Sequence, residues 1–118
     1  MSRWKDIFDF LESKGYEVYP PATKKGECKS PYIVLKNAGR YDTNEVSSVY
    51  DVYCLLLYIP LQSYSILEDF KEKLKQDMIG LFPMIRDMHD ESEPYYDDAI
   101  KAYMIELNYK NYKKKVRS

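Results

Sequence analysis

The sequence predicts one α+β domain: an antiparallel sheet of four to five strands with two helices packed on it, in the order α-β-β-β-α-β-β. Three observations carry this. Ser48 to Pro60 is an unbroken run dense in Val, Tyr and Leu, residues that suit a pleated, packed surface. Two stretches, around Trp4 and around Phe70, repeat apolar residues at three- and four-residue steps, the period of an amphipathic helix. The length of 118 residues, with 45% hydrophobic and 31% charged, supports one genuine core but not two.

In chain order, Trp4, Ile7, Phe8 and Leu11 define a helix over Arg3 to Lys14, with Ser2 placed to cap it and Gly15 to end it. Tyr16 to Tyr19 is extended, and Pro20 and Pro21 bend the chain into a polar loop over Thr23 to Ser30. Pro31 to Asn37 is the next extended segment. Ala38 to Asn44 is rich in turn residues and is expected to connect it, as an antiparallel hairpin, to the long strand.

In that strand Val49, Asp51, Tyr53, Leu55, Leu57 and Ile59 point one way, and Tyr50, Val52, Cys54, Leu56 and Tyr58 the other. Both faces are apolar toward the end, so the strand is expected to be central and covered on part of both sides. A buried helix is the rival reading, but Pro60 and the Tyr and Val content favour the strand. Ser65 and Glu68 have capping-box spacing for a second helix, with Ile66, Leu67, Phe70, Leu74 and Met78 as its apolar stripe and Gly80 as its stop. Met84 to His89 is a short extended segment, Asp90 to Asp98 a polar loop, and Ala99 to Asn111 the last strand. Residues 1–112 form the domain, and 113–118 a basic, disordered tail.

The formal net charge is −1, which gives the whole molecule no electrostatic case for nucleic-acid binding. The distribution is uneven. Asp87, Asp90, Glu91, Glu93, Asp97 and Asp98 meet no Lys or Arg, and Lys110, Lys113, Lys114, Lys115 and Arg117 meet no acid. Two opposite patches suit head-to-tail self-association, while a solvated loop and a frayed tail explain each patch alone. No apolar run approaches the ~18 residues of a membrane span. The N-terminus lacks a signal-peptide pattern, and Cys28 and Cys54 read as free thiols of a reducing compartment.

Chemistry is sparsely represented. His89 is the single histidine, so any metal or nucleophile–base site would be built on it, beside Asp87, Asp90 and Glu91. No ligand spacing accompanies it, and a solvated acidic turn fits better. Asp97 and Asp98 mark no pocket, and four glycines make no phosphate-cradling loop. No catalytic residue, metal or cofactor is expected. The thirteen tyrosines, some interleaved with lysine from Tyr109 to Lys115, suit either protein interfaces or base stacking; near neutrality favours interfaces.

The Trp4-x-x-Ile7-Phe8-x-x-Leu11 helix, the Gly15 to Tyr19 segment before a proline, the Pro31-Tyr32-Ile33-Val34 strand, the long strand running into a helix opened by Ser65, and the Ala102 to Leu107 ending together resemble the tail terminator (tail-completion) family of long-tailed bacteriophages and prophages. The resemblance spans Trp4 to about Tyr109 and is one of pattern and order. It implies a non-enzymatic structural protein that forms a ring, usually of six subunits, at the head-proximal end of the tail tube. The ring would contact the tail tube protein and the head-connector protein, with DNA passing through unread and no membrane involved. It would be found in the host cytoplasm during assembly and in the virion tail afterwards. On that footing the acidic Asp87 to Asp98 segment becomes a ring-contact or lumen element, Lys113, Lys114 and Lys115 its basic counterpart, and the Thr23 to Lys29 loop with Lys24 and Lys25 an axial contact. The alternative is a small nucleic-acid-binding module using the Tyr/Lys-rich C-terminal end. A weaker third option is an enzyme whose site is assembled across subunits around His89.

Overall fold

The computed structural model describes residues 3–42 and 48–114. It is α+β, as expected, but the sheet is mixed and has six strands. Helix α1 (Trp4–Ser13) is followed by β1 (Val18–Tyr19), β2 (Tyr32–Asp42) and β3 (Ser48–Pro60). A 3-10 turn over Leu61–Ile66 leads into α2 (Leu67–Met78), and β4 (Arg86–Glu91), β5 (Tyr95–Asp97) and β6 (Ala102–Lys114) complete the chain. The sheet runs β1-β2-β3-β6, and β4 and β5 share the outer edge of β6.

Ile7 and Leu11 bury the inner face of α1, and the Trp4 indole N–H donates to the Leu35 carbonyl at 2.8 Å. Ser2 lies outside the described residues. The helix ends as Gly15 predicts: at φ +92° its N–H reaches the Glu12 carbonyl at 3.0 Å, while Tyr16 N–H reaches that of Leu11 at 3.2 Å. This paired closure is the Schellman motif, which needs a left-handed residue.

Two expectations fail at β1 and β2. Val18 and Tyr19 pair in parallel with Ile33 and Val34. The 20–31 connection is long enough to carry the chain back to the end where it started, which a parallel pairing requires. β2 pairs antiparallel with β3, as expected, but the chain does not turn at Ala38: a β-bulge between Asn37 and Gly39 interrupts a strand that runs to Asp42, and Thr43 and Asn44 lie outside the described residues. Gly39 adopts φ +109° and its N–H donates to Asn37 Oδ1 at 3.0 Å. The bulge absorbs one residue, and pairing with β3 resumes through Asp42.

β3 has the bounds the sequence predicts and is central, flanked along its length by β2 and β6. Tyr53, Leu55, Leu57 and Ile59 are fully buried in the main core, where Leu67, Leu74 and Met78 of α2 join them. Each such side chain contributes roughly 1.5–3 kcal/mol by leaving water. On the second face Val52 and Cys54 are buried along the strand, and Cys28 packs with Tyr32 and Ala102 at the Pro60 end. There Cys28 N–H donates to the Ile100 carbonyl at 2.8 Å, anchoring the 20–30 loop.

The Ser65–Glu68 capping box does not form. Ser65 lies within the 3-10 turn, Ile66 is the N-cap, and no side chain caps α2. Glu68 and Asp69 still lie in its first turn, where negative charge suits the helix dipole. The helix stops at Met78, and Gly80 lies in a further 3-10 turn, Ile79–Leu81, before the cis Phe82–Pro83 bond. The expected Asp90 to Asp98 loop is partly strand, because β4 reaches Glu91 and β5 spans Tyr95–Asp97. The last strand starts later, at Ala102, and runs on to Lys114, so Lys113 and Lys114 belong to the sheet rather than to a tail. Lys115 lies outside the described residues.

Candidate assembly surfaces

The acidic segment does not act as one patch. β4 is bulged between Asp87 and Glu91, with His89 at φ +56° and Asp87 Oδ1 accepting its N–H at 2.7 Å. Glu91 accepts from Lys71 and Lys75 of α2, at 3.0 Å each, and Asp87 lies 3.9 Å from Lys75. Those contacts, Lys71 first, hold the Glu91 carboxyl below its usual range. Asp97 accepts the Ala99 N–H at 3.0 Å within a turn. Asp90, Glu93 and Asp98 remain on the surface.

Lys24 stands over the rings of Tyr19 and Tyr32, at 5.3 and 5.6 Å, and Lys25 is exposed. The backbones of Lys113 and Lys114 pair with Val49 and Ser48. The structure therefore scatters the sequence-derived candidates: Asp87 and Glu91 lie against α2, Glu93 and Asp98 are exposed on the β5 side, where Asp98 accepts the Tyr96 hydroxyl at 3.4 Å, and Lys24 and Lys25 are on a separate loop.

Beyond the Cys28 contact, no helix among the described residues packs on the second face of the sheet. Tyr41, Tyr50 and Tyr112 lie side by side on β2, β3 and β6, with centroids 5.7 and 5.8 Å apart. Lys110 Nζ is 5.8 Å from the Tyr50 ring and 5.0 Å from that of Tyr112. A shallow depression of about 310 Å³ beside this row is lined by Val52, Met88, Asp90 and Glu106 among others. Behind Tyr112, a groove of about 900 Å³ separates the end of α2 from β4 and β6, with walls including Met78, Ile79, Phe82 and Ile85. The Arg86 guanidinium stacks between Phe82 and Tyr112, at 5.3 and 6.0 Å.

His89 borders this groove with its side chain 84% exposed, and its Nδ1 is 3.7 Å from Asp87. No Ser, Thr or Cys is among the described lining residues. Both thiols are buried elsewhere; burial, reinforced by the Glu106 charge, pushes that of Cys54 up to about 12. Among the described residues no group of three His, Cys, Asp or Glu side chains could hold a metal. The sequence reading missed Ile79, Phe82 and Arg86. For Ile79 and Phe82 the signal was present as apolar residues that fall outside any amphipathic stripe, just before Pro83; Arg86 carried none.

No family model and no curated protein matches this chain. Solved structures do: one superposes with a TM-score of 0.57 at 15% identity, over 97% of this chain and 91% of its own. That likeness shows the fold alone.

Proposed function

We propose that this chain is a structural subunit of the phage or prophage tail-terminator type, forming a ring at the end of a tail tube and joining it to the head connector. The observation that carries the reading is the number of large apolar side chains left in water: Tyr41, Leu61, Tyr64, Ile66, Ile79, Phe82, Tyr95 and Tyr112 are all more than 40% exposed. Apolar surface of this extent on a small domain favours a protein covered by neighbours. The order of helix, long central strand, helix and closing strands supports it through the resemblance drawn from the sequence. Polymerising a tail tube protein in the presence of this chain tests it. Tubes should stop growing and carry a cap at one end; unchanged tube lengths with bare ends would refute the reading.

The Tyr41–Tyr50–Tyr112 row with Lys110 favours a second reading, a single-stranded nucleic-acid platform, because aromatic faces and cations together hold bases and phosphates. The net charge of −1 weighs against it. Salt-dependent binding of a labelled oligonucleotide, lost in Tyr112→Ala, would establish it in place of the first.

A further inference from the structure

We infer that the groove between the end of α2 and strands β4 and β6 is a binding site for an amphipathic carboxylate of the fatty-acid type: its apolar walls take the chain, and Arg86 with Lys110 holds the carboxylate. The inference goes beyond the assembly reading and does not depend on it. The groove measures about 900 Å³, within the range of ~300–1,000 Å³ usual for small-molecule sites. Buried Met78, Ile85 and Tyr109 contribute to its walls. Ile79 and Phe82, also in the lining, are 64% and 62% exposed. An apolar chain laid along them would take that surface out of water.

The charges at the groove narrow the ligand further. Arg86 on β4 pairs directly with Lys110 on β6, so two cations stand opposite each other across antiparallel strands. Like charges so placed destabilise a sheet. Both cations face the Tyr112 ring, at 6.0 and 5.0 Å, and Arg86 also faces that of Phe82 at 5.3 Å. The Arg86 Nε donates to the Pro83 carbonyl at 3.3 Å. Among the described residues neither cation has a carboxylate within ion-pair distance. The rings attract each cation but leave the repulsion between the two in place, whereas an anion bound between them offsets it.

The other charged residues of the lining are Glu72, Lys75 and Asp87. Lys75 is held by Glu91 at 3.0 Å and lies 3.9 Å from Asp87. Glu72 has no cation within ion-pair distance among the described residues. Arg86 and Lys110 against Glu72 therefore leave a surplus of one positive charge, which a monoanion balances and a phosphate dianion exceeds. A carboxylate also matches the planar fork of a guanidinium.

Titrating sodium dodecanoate, below micelle formation, into the wild-type chain at pH 8 tests this by calorimetry and by amide shifts of the nitrogen-15-labelled protein. One molecule should bind per chain, with a dissociation constant on the order of 100 μM. The shifts should centre on Ile79, Phe82, Arg86 and Lys110. Arg86→Gln and Lys110→Gln, with circular dichroism matching the wild type, should each weaken binding about tenfold, the loss expected of one charge-assisted hydrogen bond. Dodecyltrimethylammonium, with the same chain and the opposite charge, should bind weaker by about tenfold or more, and dodecyl phosphate no more tightly than dodecanoate.

The absence of saturable binding up to millimolar dodecanoate would overturn the inference. So would shifts centred elsewhere, or binding that the two glutamine substitutions together leave unchanged. Equal affinity for dodecyltrimethylammonium would overturn the carboxylate, and tighter binding of dodecyl phosphate would overturn the monoanion. Tighter binding of a capped leucine–aspartate peptide to the same residues would overturn the fatty acid in favour of a protein segment. Ring formation is read separately, from mass, and stands or falls apart from these outcomes.

Discussion

The hydroxyl of Tyr53 accepts the backbone N–H of Arg3 at 2.8 Å, tying the start of α1 to the middle of the central strand. Tyr53 is fully buried, and Arg3 is the N-cap of a helix that has no side-chain cap among the described residues. A core residue fifty positions away thus does part of what a local cap does elsewhere. Tyr53→Phe keeps the ring and leaves that N–H without its partner. Urea unfolding should show a loss of about 1–2 kcal/mol. An unchanged midpoint would mean that water or another group replaces the hydroxyl at no cost.

Glu91 makes the acid sensitivity of the fold predictable in sign. Its carboxyl, with an ordinary value of 4.5, titrates lower in the folded chain because Lys71 and Lys75 donate to it. The contact therefore contributes fully above the unfolded value and is lost as pH falls through the folded one. Glu91→Gln should lower the melting midpoint at pH 7 and narrow its gap from the wild type at pH 3. A gap of equal size at both pH values would show that the loss is one of packing rather than charge.

Gly15 closes α1 at φ +92°, with open space around its Cα. Gly15→Ala meets no clash but places a Cβ in the left-handed region. It should cost about 1–2 kcal/mol. A neutral substitution would indicate that the helix can end without the paired closure to Leu11 and Glu12.

Cys28 and Cys54 are 1% and 5% exposed, and burial raises both thiols. Neither should react with an aromatic disulfide reagent at pH 8 in the native state, and both should react once unfolded. Rapid native labelling of Cys54 would show that the second sheet face opens in solution.

How much of this was legible depends on where the determining contacts lie. The bounds and alternation of β3 follow from its own residues, since a central strand must be apolar on both sides. The Gly15 closure is equally local. The parallel pairing of Val18 and Tyr19 depends on where the 20–31 connection returns, which no periodicity encodes. Ala38 and Gly39 read as part of a connecting turn but form a bulge, because a bulge and a reversal use the same residues. Asp87 and Glu91 looked free because Lys71 and Lys75 reach them only once α2 lies over β4. The groove joins Ile79, Arg86 and Lys110 from three elements, so only the folded chain brings it together.

Mass determination by sedimentation, with electron microscopy of the same sample, tests most directly whether this chain builds a ring. The expected result is a closed particle with a central channel, its mass near an integral multiple of 14.1 kDa, with six copies favoured by the resemblance. A monomer at all concentrations up to millimolar, both alone and with tail tubes present, would contradict it.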